Sequence, residues 1–133
     1  MIYDNPEDFY NDYAAFKRYQ TPILKAKHIR WYDREFWVPA ECTPETVVLE
    51  LGSGTGEFLA YLKLKGVKKF RGVEQDTNAI AVMDDGLRDN VFVGDIWRFF
   101  DNETLDSPFG CVVMLDVLEH FSAGDGVRLL LKI

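Results

Sequence analysis

Two hydrophobic periods divide the chain. Over residues 1–40 the apolar positions recur at helical spacing. Asn5-Pro6-Glu7-Asp8 offers a cap, a proline suited to the first helical position and acids for the first turn, after which Phe9, Tyr13 and Phe16 share one face. Thr21-Pro22 restarts the pattern and predicts a second helix to about Phe36, with Pro39 and Pro44 marking a linker. From Thr46 onward, short apolar runs alternate with helical stretches. "TVVLEL" (46–51) is continuous and rich in β-branched residues, as for a strand covered on both faces. "EFLAYLKLK" is helical and stops at Gly66; "KFRGVEQ" (69–75) is a second strand. "DTNAIAVMDDGL" (76–87) has a capping start and sets Ile80, Met83 and Leu87 at helical spacing. "VFVGDI" (91–96) and "CVVMLD" (111–116) are the third and fourth strands. Ser122 to Asp125 resembles a capping box, and a last helix is expected from near Gly126 to Ile133, carrying Leu129, Leu130 and Leu131. Strands and helices alternating at this spacing predict an α/β fold: a parallel sheet with helices on both faces and a helical segment before it. In such sheets ligands sit at the carboxyl ends of the strands.

Composition narrows the function classes. The chain has 133 residues, enough for one domain with a real core, and is 47% hydrophobic and 28% charged. The net charge of −7 argues against a broad grip on nucleic acid or an anionic membrane. No apolar run approaches the ~20 residues of a spanning helix, and "MIYDNPEDF" is too acidic for a signal peptide, so a cytoplasmic location is expected. Cys42 and Cys111 have no CxxC spacing and read as free thiols. The charge is uneven: residues 1–40 carry six acids and six bases, residues 41–133 sixteen and nine. Lys27, Arg30 and Arg34 fall on one face of the second helix, either as a solvated face or as a grip on an anionic substrate group.

The chemistry gathers where the strands end. Gly52-Ser53-Gly54-Thr55-Gly56 is GxGxG, but Glu57 stands where a dinucleotide fingerprint needs its third glycine. A carboxylate there is awkward for a pyrophosphate at a helix N-terminus, and no GK[ST] follows. The loop suits a nucleoside without phosphates, and a hydride-transferring NAD enzyme is disfavoured. Glu74 ends the second strand 22 positions after Gly52, where a ribose-binding acid is expected. Asp95-Ile96 ends the third; Asp95 could accept an adenine amino group or equally cap a helix.

"VLELGSGTGEF", "GVEQD", "GDI" and "VVMLDVLEHF", in this order and spacing, resemble motifs one to four of the class I S-adenosylmethionine-dependent methyltransferases. The resemblance covers roughly residues 46–121, and "YDNPEDFYNDYAAF" is similar to the entry helix of small-molecule members. It implies a Rossmann-like sheet in order 3-2-1-4, an N-terminal helical lid over residues 1–40 and an S-adenosylmethionine-binding core over 41–133. Glu50 and Gly52, Ser53, Gly54, Thr55 and Gly56 would surround the methionine portion of the cofactor. Glu74 would hold the ribose, with Gln75, Asp95 and Ile96 around the adenine and Asp116 and Val117 facing the methionine amine. Acids suit this ligand because it carries a sulfonium and an ammonium group.

Methyl transfer needs chiefly a positioned nucleophile, plus a base where the acceptor must lose a proton. His120 is the candidate catalytic base; His28 reads as structural or surface. Asp116-Val-Leu-Glu119-His120 is also similar to the ExxEH stretch of ubiquinone-type O-methyltransferases and small-RNA 3′-end methyltransferases, where acids and histidine help hold a divalent metal. Here Asp replaces the first Glu, and a pocket lining without metal is the simpler reading. No Asn-Pro-Pro-Tyr-like motif follows the fourth strand, which disfavours adenine or glutamine N-methylation. The expected function is a methyltransferase acting on a small-molecule acceptor; a cofactor-binding or regulatory module without transfer activity is the alternative. The family resembles a seven-stranded sheet, so four strands suggest a shortened chain whose fourth strand is an open edge, a template for a homodimer.

Overall fold

A computed structural model describes residues 19–102 and 108–133. The helix expected from Asn5, together with Lys17 and Arg18, lies outside the described residues.

Four strands form one sheet: β1 (Val48–Leu51), β2 (Phe70–Glu74), β3 (Val91–Val93) and β4 (Cys111–Met114). Their order is β3-β2-β1-β4 and every pairing is parallel, as expected. Registers run Val48 beside Phe70 and Cys111, and Gly72 beside Val91. β1 is buried along its whole length, which is why its run carries no alternation of polar and apolar residues.

The helices differ from expectation in four places. The second predicted helix is α1 (Ala26–Tyr32) running into a π-helical turn, Asp33–Trp37. α2 (Glu57–Leu64) agrees, ending before Gly66 at φ +77°. The single helix expected over 76–87 is two, α3 (Thr77–Ala81) and α4 (Asp85–Arg88). Asp84 breaks it: in extended backbone, its carboxylate accepts the Gly86 amide at 2.8 Å and starts a new helix. α5 (Ile96–Asn102) went unread, because the apolar "VFVGDIW" run hides where strand gives way to helix. A 3₁₀ turn (Leu118–His120) precedes α6 (Ala123–Lys132), which starts three residues earlier than expected. The cap is Ser122, whose hydroxyl accepts the Asp125 amide at 3.2 Å as the capping-box pattern implied, so the helix begins directly after it.

The sheet buries a core on each face. On one side Val48, Val91 and Val113 meet Tyr32, Phe58, Leu59, Tyr61, Leu62, Met83 and Leu87. On the other, Leu49, Leu51 and Val73 meet Phe99 and Leu129, with Phe92, Phe100 and Val112 packed around them. The helical segment is clamped to α2: the Tyr61 hydroxyl donates to Asp33 at 2.6 Å, Lys65 pairs with Asp33 at 3.0 Å, and the Lys65 ammonium lies 4.6 Å from the Trp37 ring centre. These partners hold the Asp33 carboxyl below its usual pKa, the Tyr61 hydrogen bond first and Lys65 second.

α6 is therefore part of the fold rather than a loose end. Leu129 is fully buried while Leu131 is 82% exposed. Leu129→Ala is expected to cost roughly 2–5 kcal/mol in denaturant unfolding and Leu131→Ala within about 0.5 kcal/mol. Equal effects of the two substitutions would mean that α6 is not docked on the sheet.

Candidate functional site

β1 is central, and its chain must leave the sheet in a tight reversal. Gly52 and Ser53 both donate their amides to the carbonyl of Val73, at 2.8 and 3.0 Å. Gly52, Gly54 and Gly56 have φ of +79°, +54° and +90°, a region that side-chain-bearing residues rarely occupy. At Gly52 a Cβ would also lie 2.6 Å from Cγ2 of Val117, so glycine is required there for space as well. Glu74 ties the loop to the end of β2: its carboxylate accepts the Gly54 amide at 2.7 Å and the Asp76 amide at 2.8 Å. Asp76, buried, caps α3 through the Asn78 amide and accepts the Tyr19 hydroxyl at 2.9 Å.

A pocket of about 360 Å³ opens at the carboxyl ends of the strands. Of the residues singled out from sequence, Gly52, Glu74, Gln75, Asp95, Ile96, Asp116, Val117 and His120 line it. Ser53, Gly54, Thr55 and Gly56 do not: they form the back of the loop, and Thr55 faces a separate cleft of about 110 Å³ beside Lys63 and Asp84. Glu50 is buried in β1 and is not among the residues that line the pocket. Asp95 caps the following helix, its Oδ1 accepting the Arg98 amide at 2.8 Å, and it also lines the pocket. Asp116 sits at φ +55°, a left-handed conformation that aspartate tolerates better than most residues, at the turn out of β4.

The sequence did not single out Trp97 and Phe121, which complete the wall. Their rings meet edge to face with centres 6.0 Å apart, and the Arg128 guanidinium of α6 covers Trp97 at 4.0 Å. The clue available was position: each directly follows a residue already assigned to the site. Gly72 was missed too. A Cβ there would collide with Ser53 Oγ and come within 2.9 Å of Leu59 Cδ1, so glycine in mid-β2 lets α2 and the loop sit down on the sheet.

The electrostatics are acidic. Glu50 is 2% exposed, and its Oε2 has no hydrogen-bond partner among the described residues. Burial, then the nearby Glu74 and Glu57 charges, push its carboxyl well above the usual range. Glu57 accepts the Tyr32 hydroxyl at 2.9 Å, with His28 Nδ1 4.0 Å away. Burial and that hydrogen bond raise the Tyr32 phenol, which stays neutral and donating. His28 thus belongs to the α1–α2 contact. Among the described residues no three His, Cys, Asp or Glu side chains come together to hold a metal, so Asp116, Glu119 and His120 do not form such a set here; Glu119 is also absent from the pocket wall. Lys27, Arg30 and Arg34 do share a groove, with Trp31, Asp33 and Val38, but none of its residues lines the pocket at the strand ends. No helix among the described residues is long and apolar enough to cross a membrane.

Comparison with known proteins agrees with this geometry. Residues 15–130 match the family model described as a methyltransferase domain. A crystal structure of a SAM-dependent methyltransferase from Geobacter sulfurreducens in complex with S-adenosyl-L-homocysteine is similar at a TM-score of 0.58 and 21% identity, covering 98% of this chain and 52% of that one. A provisionally assigned S-adenosyl-L-methionine-dependent methyltransferase from Methanococcus maripaludis is similar at 0.49 and 14% identity, covering 86% and 63%. The chain thus spans about half the length of the first and under two thirds of the second. A search of curated proteins finds no match.

Glu50 generates a pH prediction. An acid whose pKa rises on folding favours the folded state below its unfolded value and opposes it as pH climbs through the raised folded value. Glu50→Gln removes that opposition. The variant should therefore gain stability over the unsubstituted, ligand-free protein progressively as pH rises above the ordinary glutamate value of 4.5. Denaturant midpoints at a series of pH values check this, and a difference that stays constant with pH would contradict a raised Glu50 pKa.

Proposed function

The chain belongs to the methyltransferase domain family, and from that premise we propose that its pocket binds S-adenosylmethionine and serves methyl transfer to a small-molecule acceptor. The observation that carries this reading is Glu74: one carboxylate, at the end of β2, both fastens the glycine loop and lines the pocket. The donor set fits the ligand. Three carboxylates, Glu74, Asp95 and Asp116, line the pocket, and no Lys or Arg is among the described lining residues. Such a surface favours a cationic, phosphate-free ligand and disfavours NAD or ATP. The volume lies at the lower end of the range for small-molecule sites.

Bound there, S-adenosylmethionine supplies a methyl group already activated on a positive sulfur. Each Glu74 oxygen accepts one backbone amide, which leaves lone pairs free to accept ribose hydroxyls. Asp95 spends one oxygen on its helix cap and offers the other to an adenine amino group, with Gln75 and Ile96 beside it. Gly52, Asp116 and Val117, with the loop Ser53 to Gly56 and Glu50 behind, serve the methionine portion. His120 lines the same pocket on the 3₁₀ turn and takes the proton where the acceptor must lose one, a contribution of about 10²–10⁴ in rate.

Calorimetry tests the reading. S-adenosylhomocysteine should bind more tightly than NAD, and Glu74→Ala should weaken its binding by roughly 1–3 kcal/mol, the range for a charge-assisted hydrogen bond. Tighter binding of NAD, or an unchanged affinity in Glu74→Ala, would overturn it.

A further inference from the structure

α1 and the π-helical turn that follows it carry a groove of about 580 Å³, lined by Lys27, Arg30, Trp31, Asp33, Arg34 and Val38. Residues 25–34 hold four bases and one acid in a chain whose net charge is −7, so the groove is a basic island on an acidic protein. That acid, Asp33, is already engaged: it accepts the Tyr61 hydroxyl at 2.6 Å and pairs with Lys65 at 3.0 Å. Arg34 reaches Glu35 at 2.6 Å, an exposed pair that holds it weakly. Lys27 and Arg30 make no ion pair or side-chain hydrogen bond among the described residues. At about 1.5 Å per residue, Lys27, Arg30 and Arg34 span about 10 Å along the segment.

Two apolar side chains share the groove with these cations. Tyr32 turns into the core, and Trp31 meets it only edge-on, with ring centres 5.3 Å apart, which leaves Trp31 46% exposed. Val38 closes the π-helical turn, its amide donating to the Asp33 carbonyl at 3.0 Å, and is 68% exposed.

We propose that this groove is a docking surface for a partner protein that presents an acidic amphipathic helix. An exposed tryptophan beside two arginines is the composition that carries binding energy at protein interfaces. Walls this exposed do not enclose a small ligand, whose sites bury most of its surface. A nucleic acid needs a longer path of cations than this groove offers, and the rest of the acidic chain repels its phosphates. Carboxylates one turn apart on a partner helix recur about every 5.4 Å, so three of them match the span from Lys27 to Arg34. The arginines can take carboxylates in bidentate pairs, and an apolar side chain between the acids packs on Trp31 and Val38. No groove residue lines the pocket at the strand ends, so docking leaves that site open.

The full chain is titrated into a fluorescein-labelled helical peptide with glutamates one turn apart and leucines between them, followed by anisotropy at several salt concentrations. The expected result is saturable binding that weakens as salt rises. Arg30→Glu should weaken it on the order of tenfold, and Trp31→Ala roughly thirtyfold, a hot-spot loss. Lys69→Glu, an equal charge reversal at an exposed position outside the groove, should bind like the unsubstituted chain. Arg30→Ala and Lys27→Ala, each expected to weaken binding about threefold, keep the test decisive if the reversal disturbs folding. Absence of binding, equal affinity in Arg30→Glu, or a loss in Lys69→Glu as large as in Arg30→Glu would each overturn the proposal. So would tighter binding of a single-stranded oligonucleotide, or of the same peptide with lysine in place of glutamate.

Discussion

The Val73 carbonyl accepts two successive amides, those of Gly52 and Ser53, and the rest of the site hangs on that arrangement. It turns the chain out of β1 at once instead of letting the strand run on past β2. Three left-handed glycines make the reversal possible, and Glu74 closes it from the far side by accepting the Gly54 amide. One consequence is that α2 begins directly over the sheet. Another is that the space above the ends of β2, β3 and β4 stays open. With a side chain at Gly52, the loop would meet Val117, and the walls contributed by β1 and β4 could not approach each other.

The same reversal explains the charge pattern. Glu50, Gly72 and Glu74 occupy the face of the sheet shared with α2, as does Glu57 at the start of that helix. Gly72 opposite Glu50 carries no side chain, so Leu59 and Ser53 close over that point and seal Glu50 from water. A buried acid whose Oε2 has no partner among the described residues costs stability in the ligand-free protein. Burial, with the Glu74 and Glu57 charges nearby, correspondingly pushes its carboxyl pKa well above the usual range. Tyr32 holds Glu57 from α1, so the helical segment is coupled to the start of α2 through a hydrogen bond as well as through the aromatic contacts with Phe58 and Tyr61.

Much of this was legible in the sequence because strand ends carry short, local signatures. The apolar runs located β1 to β4, and an acid or glycine at the end of each run located the pocket wall. Asp84 was harder to place. A capping side chain acts through its own neighbouring amides, and which aspartate in "MDDGL" wins the competition depends on where Met83 and Leu87 must be buried. Trp97 and Phe121 look like core residues by composition, and their place in the wall follows only from how α5 and the 3₁₀ turn leave the sheet. Lys27, Arg30 and Arg34 do share a groove, as their spacing implied; it is lined by other residues than the pocket at the strand ends, while Tyr32 of the same helix joins the core.

The most direct test of the central claim is a map of backbone amide shifts by NMR on titrating the protein with S-adenosylhomocysteine. The account predicts that the largest changes fall on residues 52–56, on Glu74 and Gln75, on 94–97 and on 116–121, with α1 and the Lys27–Arg34 groove unmoved. Changes concentrated in that groove, or none around Gly52 and Glu74 at saturating ligand, would contradict it.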